Sequence, residues 1–189
     1  SAALSAELNI RQIYKLTENL KNASCMAETE HEGARNTAAH ENAPGGLGLE
    51  TAVYGRLPLM ISEYCPVGSV QGGFCSSSKC SGCCSSGSYS LQDRLGIRFP
   101  VLCDNIDCRS IILNSNVLFV PDSIKSLSEA GISIFRLYIW DEDPETVKDL
   151  VNLHRAVASG CNTGTAAFAG LTDRIKAAGF TKGHYYRGV

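Results

Sequence analysis

No apolar run in this 189-residue chain approaches the ~20 residues that span a bilayer, so no membrane partner is expected. The N-terminus lacks the basic and apolar regions of a secretory signal, which makes a cytoplasmic location the expectation. It also begins without Met, as an excised fragment of a longer chain would. An excess of positive charge is missing too. The formal net charge of −2 argues against a dominant electrostatic hold on nucleic acid. Arg174, Lys176, Lys182 and Arg187 do gather near the C-terminus, where a solvated tail accounts for them. Neither His-Glu-x-x-His nor Gly-x-Ser-x-Gly occurs, which removes two signatures of hydrolysis. With 44% apolar and 19% charged residues, the chain is expected to be globular, a single domain over 1–189 with its own core.

Cysteine, by contrast, is plentiful. Of nine, seven (Cys65, Cys75, Cys80, Cys83, Cys84, Cys103, Cys108) fall in one segment, 65–108, while Cys25 and Cys161 stand apart. A disulfide framework in a small secreted domain spreads its cysteines; this one does not. Neighbours such as Cys83 and Cys84 do not readily pair, and the odd total leaves a thiol over. In a reducing compartment clustered thiolates bind metal or do redox chemistry. Four of them satisfy either a tetrahedral zinc or a 4Fe–4S cluster. Cys80-x2-Cys83 and Cys103-x4-Cys108 suit a zinc ribbon, and spacing alone leaves the metal open.

Around that segment the chain reads as alternating elements. Ala2 to Leu8 has the character of a strand end. Asn9 and Gln12 make a capping box ahead of a helix over Ile10 to Lys21. Residues 25–48, with Glu28, Glu30, His31, Glu32, His40 and Glu41 followed by Pro44-Gly45-Gly46, read as a flexible surface insertion. Thr51 to Ile61 reads as one buried strand, and Tyr89 to Leu102 as a hairpin turning at Arg94-Leu95-Gly96. A helical stretch through Ile111, Ile112 and Leu113 precedes a strand at Val117 to Val120. A helix at Ser123 to Ala130 is closed by Gly131, and Ile132 to Ile139 is the next strand. Asp143 caps a helix with Pro144 in its first position and a stripe of Val147, Leu150, Val151, His154 and Val157. A last helix runs from Ala166 to Ala178. This is the grammar of parallel βα units, with about four core strands, half of what an eight-stranded barrel needs. The expected fold class is α/β, a partial TIM-type barrel with a cysteine-rich loop and a β-hairpin insertion. Its open edges call for a partner, namely the remainder of its own chain as an N-terminal half barrel.

Val53-Tyr54-Gly55-Arg56-Leu57-Pro58-Leu59-Met60 and Glu63-Tyr64-Cys65-Pro66-Val67-Gly68 resemble a signature of peptidase family U-32, the collagenase-like peptidases. The likeness continues through Lys79-Cys80-Ser81, Cys84, Leu91-Gln92-Asp93-Arg94, Phe99-Pro100 and Asp104-Asn105-Ile106-Asp107-Cys108-Arg109. It ends at Gly183-His184-Tyr185-Tyr186-Arg187-Gly188-Val189. Outside the insertion it spans Leu4 to Val189, and it is similar to the C-terminal barrel portion of the family's long members. Some members are described as proteases. Others carry a 4Fe–4S cluster and support oxygen-independent hydroxylation of RNA bases or of a quinone precursor. The resemblance therefore implies a 4Fe–4S cluster on Cys65, Cys80, Cys84 and Cys108, with RNA as a partner. Zinc is the alternative cofactor, and Cys83 in place of Cys84 would favour it.

Charged groups near the segment are candidates for substrate contact: Arg56, Glu63 and Arg94, together with His184 and Arg187 beside the stacking-capable Tyr185 and Tyr186. Structural ion pairs explain Arg56, Glu63 and Arg94 equally well, and aromatic packing of a chain end explains His184. His154 reads as a core histidine. Three functions follow as expectations. The first is a cluster-bearing fragment contributing to RNA-base hydroxylation, not active alone. The second is a peptidase, and the third a zinc module that only stabilises a loop.

Overall fold

The apolar spacing of Ile10, Ile13 and Leu20 becomes helix α1 (Ile10–Glu28), begun by the expected reciprocal cap. Asn9 N donates to Gln12 Oε1 and Gln12 N to Asn9 Oδ1, each at 2.9 Å. The computed structural model describes residues 1–28, 47–71, 82–104, 106–160 and 166–186. They fall into two compact units, 1–55 with 118–189, and 56–117. α1 runs beyond the expected end at Lys21 into the start of the anticipated insertion, most of which lies outside the described residues.

The first unit is built around β2 (Leu49–Gly55), buried along its whole length. It pairs in parallel with β1 (Ala2–Ala3) and β8 (Ile134–Leu137), and antiparallel with β7 (Val117–Phe119), which neighbours β9 (Phe180–Thr181). Helices α3 (Ile124–Glu129), α4 (Pro144–Ala158) and α5 (Ala166–Ala178) complete it. Ile13, Leu49, Val53, Leu118, Ile124, Leu127 and Leu150 form its core, each such side chain contributing about 1.5–3 kcal/mol by leaving water. Asp143 caps α4 as expected: Oδ1 accepts from Glu145 N at 3.0 Å and Thr146 N at 2.9 Å. Gly131, at φ 101°, ends the α3 segment in a conformation that costs other residues steric strain.

The second unit is a four-stranded antiparallel sheet in the order β3 (Pro58–Ser62), β6 (Ser110–Leu113), β5 (Arg98–Cys103), β4 (Tyr89–Gln92). β4 and β5 form the expected hairpin. Its turn is held by Asp93, whose Oδ1 accepts from Leu95 N at 2.8 Å and Ile97 N at 2.9 Å. Helix α2 (Pro66–Gln71) follows β3, and a 3-10 turn (Cys83–Ser86) precedes β4.

Three expectations are corrected. Thr51 to Ile61 is not one buried strand: at Gly55 the chain takes φ 112°, where a Cβ would overlap the Tyr138 carbonyl, and pairing resumes in the other sheet as β3. There Leu59, Met60 and Ile61 are exposed. Ile111 to Leu113 is strand rather than helix, because β-branched residues flanked by β3 and β5 fit a pleated surface. Strand pairing is also not uniformly parallel: the fold is mixed α/β, with parallel pairs at β1–β2 and β2–β8 and antiparallel pairs elsewhere among the described residues.

His154 sits in the first unit's core, 5% exposed. The edges or faces of Tyr54 and Phe119 lie near it, with centroids at 6.3 and 6.4 Å. Its Nδ1–H donates to Leu150 O at 2.7 Å, and Nε2 has no hydrogen-bond partner. Burial pushes its pKa below the ordinary 6.5, against the opposing pull of the Leu150 carbonyl. The unfolded chain thus takes up this proton at a higher pH than the folded one. Stability is full above about pH 6.5 and falls as pH drops below it, by up to about 1.4 kcal/mol per pH unit between the two pKa values. Denaturant titrations at several pH values should show this acid-side decline in the wild type, and His154→Phe should flatten it. Equal pH slopes in the two proteins would show that His154 is not the group responsible.

Candidate metal centre

The register of the second unit decides where its chemistry gathers. Ser62 of β3 pairs with Ser110 of β6, and Ser110 with Cys103 of β5. Tyr89 of β4 pairs with Val101, two residues from Cys103. The end of β3, the start of β6, the end of β5 and the start of β4 therefore share one end of the sheet. Every described cysteine of the 65–108 segment hangs from that end. Cys65 follows β3, Cys83 and Cys84 precede β4, Cys103 closes β5, and Cys108 precedes β6. All five are half-buried.

Local contacts fix the backbone carrying them. Gly68 N donates to Cys65 Sγ at 3.2 Å. The Tyr89 hydroxyl and Ser86 Oγ both donate to Cys83 O, at 2.7 Å each, tying the 3-10 turn to the start of β4. The β5–β6 connection is closed by Asp104 N donating to Arg109 O at 2.8 Å and Ile106 N to Asp104 Oδ1 at 2.8 Å. Within it Cys108 takes φ 54°, a left-handed conformation uncommon for a non-glycine residue.

The thiols feel one another. Burial pushes the Cys103 thiol above its ordinary pKa; the Ser110 hydroxyl beside it acts in the opposite sense, and charge at Cys65, Cys84 and Cys83 adds to the rise. Ser110 is wholly buried, and its Oγ has no partner at full hydrogen-bonding distance and angle. Among the described residues, no three His, Cys, Asp or Glu side chains already stand together closely enough to enclose a metal ion. The donor chemistry nonetheless suits a thiophilic metal or an iron–sulfur cluster. Three of the four expected ligands, Cys65, Cys84 and Cys108, occupy this sheet end beside an unpaired buried hydroxyl, and Cys80 lies outside the described residues.

The candidate substrate-contact residues separate. Glu63 stays at the cysteine end, exposed and 3.7 Å from Arg109, which also lies 3.9 Å from Asp107. Arg56 is at the opposite end, its Nη1 donating to Asn114 O at 3.1 Å and to Ser115 O. Arg94, exposed in the β4–β5 turn, is also at that far end, on the order of 15 Å away at ~3.3 Å per strand residue. His184 is exposed in the first unit, between Gly183 and the buried Tyr185. Arg187 lies outside the described residues. Ser110 and Tyr89 were not singled out as site residues in the sequence: neither belongs to a motif, and only strand register brings them to the thiols.

The chain matches no family model, no curated protein and no solved structure in the comparisons made. Among the described residues, no helix is long and apolar enough to cross a membrane.

The Ser110 hydroxyl is a buried polar group with no partner of good hydrogen-bond geometry. Ser110→Ala should therefore raise stability by about 1 kcal/mol, read as a higher denaturation midpoint. A lower midpoint would show that Oγ is bonded after all.

Proposed function

We propose that this chain is a portion of a U-32-type protein that holds a 4Fe–4S cluster and contributes to oxygen-independent hydroxylation of RNA bases in the cytoplasm. The observation that carries the reading is the convergence of Cys65, Cys84 and Cys108 at one sheet end, where Cys80 would supply the fourth thiolate. A cluster bound there supplies one-electron redox chemistry. The chain's own residues do the rest. Gly68 N–H donates to the Cys65 sulfur, and Tyr89 anchors the turn that carries Cys84. The exposed Glu63–Arg109 pair stands at the same end and would face a substrate approaching the cluster.

The parallel pairing of β2 with β1 and β8 supports a partial TIM-type barrel, to be completed by further chain. A thiol peptidase gains no comparable support. His154 is buried with Nδ1 on a backbone carbonyl, and His184 is exposed with no contact to a thiol among those described.

Anaerobic purification should give a brown protein with about four iron and four sulfide per chain, the content of one such cluster. Cys65→Ser should lose most of both and bleach the visible absorbance. A colourless anaerobic preparation that refuses iron and sulfide on reconstitution would overturn the proposal.

A further inference from the structure

Two surfaces, one in each unit, leave large apolar side chains in water and carry charge of opposite sign. We propose that they serve self-association: the tip of the β4–β5 hairpin of one copy of this chain docks on the ledge between β8 and α4 of a second copy. The inference uses none of the thiols and does not rest on the cluster.

The ledge follows β8. Its Tyr138, Ile139 and Trp140 are 38%, 40% and 52% exposed, three consecutive large apolar side chains left open to solvent. Residues 138–145 hold four carboxylates and no base, and Asp141, Asp143 and Glu145 are exposed. The ledge is held in place from below. Glu142 Oε1 accepts from the Tyr54 hydroxyl at 2.7 Å, and Oε2 accepts from Trp140 N at 2.6 Å. The hairpin tip has the opposite character. Leu91, Leu95 and Ile97 are 38%, 84% and 43% exposed, and Arg94 and Arg98, both exposed, outnumber Asp93, the one acid of residues 91–98. Asp93 Oδ1 is engaged by Leu95 N and Ile97 N, which leaves the arginines to set the sign of the tip. Both surfaces are thus shaped before they meet, which lowers the ordering cost of association. Tryptophan, tyrosine, arginine and apolar anchors are what interface centres are made of, and an arginine can also lie on the Trp140 ring. Four carboxylates repel phosphate, so the ledge fits a basic partner and not a nucleic acid. The matching basic, apolar surface is present in the same chain, and every copy carries one hairpin and one ledge. Charge complementarity therefore points to a second copy as the occupant.

Sedimentation equilibrium of the full chain, kept reduced so that no disulfide joins two copies, is the test. The weight-average mass should rise above that of one chain across the micromolar range. Arg94→Glu combined with Arg98→Glu should weaken association about tenfold or more, and Asp141→Lys combined with Glu145→Lys should do the same. Mixing the two double variants should restore it, because the reversed hairpin of one then meets the reversed ledge of the other. A wild type that stays a monomer throughout overturns the proposal, as do double variants that associate like the wild type or a mixture that stays apart. A monomeric wild type whose hairpin arginines instead hold an RNA oligonucleotide would assign the tip to nucleic acid and overturn it too. Should the ledge variant fail to fold, the hairpin variant decides alone, since its substitutions lie in an exposed turn. Retention of wild-type association by that variant overturns the proposal.

Discussion

The antiparallel register across β3, β6 and β5 is the constraint on which the candidate site depends. Ser62, Ser110 and Cys103 stand opposite one another in a single row. Side chains alternate between sheet faces, so a slip of one residue in β6 would turn Ser110 and Ile112 to the opposite face. It would also displace the 104–109 connection that carries Cys108. What pins the row is apolar packing one step along it: Val101 pairs with Ile112, and both are buried. The thiols themselves contribute little to that register. They occupy the ends of strands whose alignment is decided elsewhere, which is how a rigid element positions ligands on adaptable connections.

The first unit solves a different problem. β2 is buried throughout, yet it carries Glu50 and Thr51, and a buried polar group without a partner costs about 1–3 kcal/mol. Glu50 pairs with Arg136 of the adjacent β8. Thr51 Oγ1 donates to the Tyr185 oxygen at 2.8 Å, and the Tyr185 hydroxyl donates to Ala52 O at 2.5 Å. Ser123 Oγ and the Tyr186 hydroxyl lie 2.7 Å apart. The aromatic pair near the C-terminus, which a sequence reader associates with base stacking, thus spends both hydroxyls on holding its own unit together. His184, just before them, is left exposed, and Lys182 already lies 5.1 Å from the Tyr186 ring centroid.

Much of this was legible in the residues where local chemistry decides the outcome. The Asn9–Gln12 box, the Asp143 cap ahead of Pro144, the Arg94-Leu95-Gly96 turn and the closing Gly131 act within a few residues, and each formed as read. Errors arose where the deciding partner is remote. Ile111 to Leu113 satisfies a helical pattern as well as a strand, and only pairing with β3 and β5 selects the latter. The break at Gly55 depends on the approach of Tyr138, the residue after β8, a contact invisible in the run Thr51 to Ile61. At the site, the cysteine content was legible, but the company each thiol keeps was not. Cys103 reads in the sequence only as one half of a Cys-x4-Cys spacing with Cys108, and its place opposite Ser110 follows from strand register alone.

The number of thiols at one sheet end bears on how such a site behaves. A ligand set of four drawn from four cysteines has one arrangement, and its metal is selected by geometry. A set drawn from more thiols at one sheet end has several arrangements of similar donor chemistry, and softness alone does not rank them. Selection then passes to what differs between the thiols. Cys103 is fixed by strand pairing with Ser110. Cys108 sits in a left-handed backbone conformation inside a closed turn, so its placement is set before any metal arrives. A metal's choice among these thiols would therefore turn on how firmly strand pairing and turn geometry hold each one.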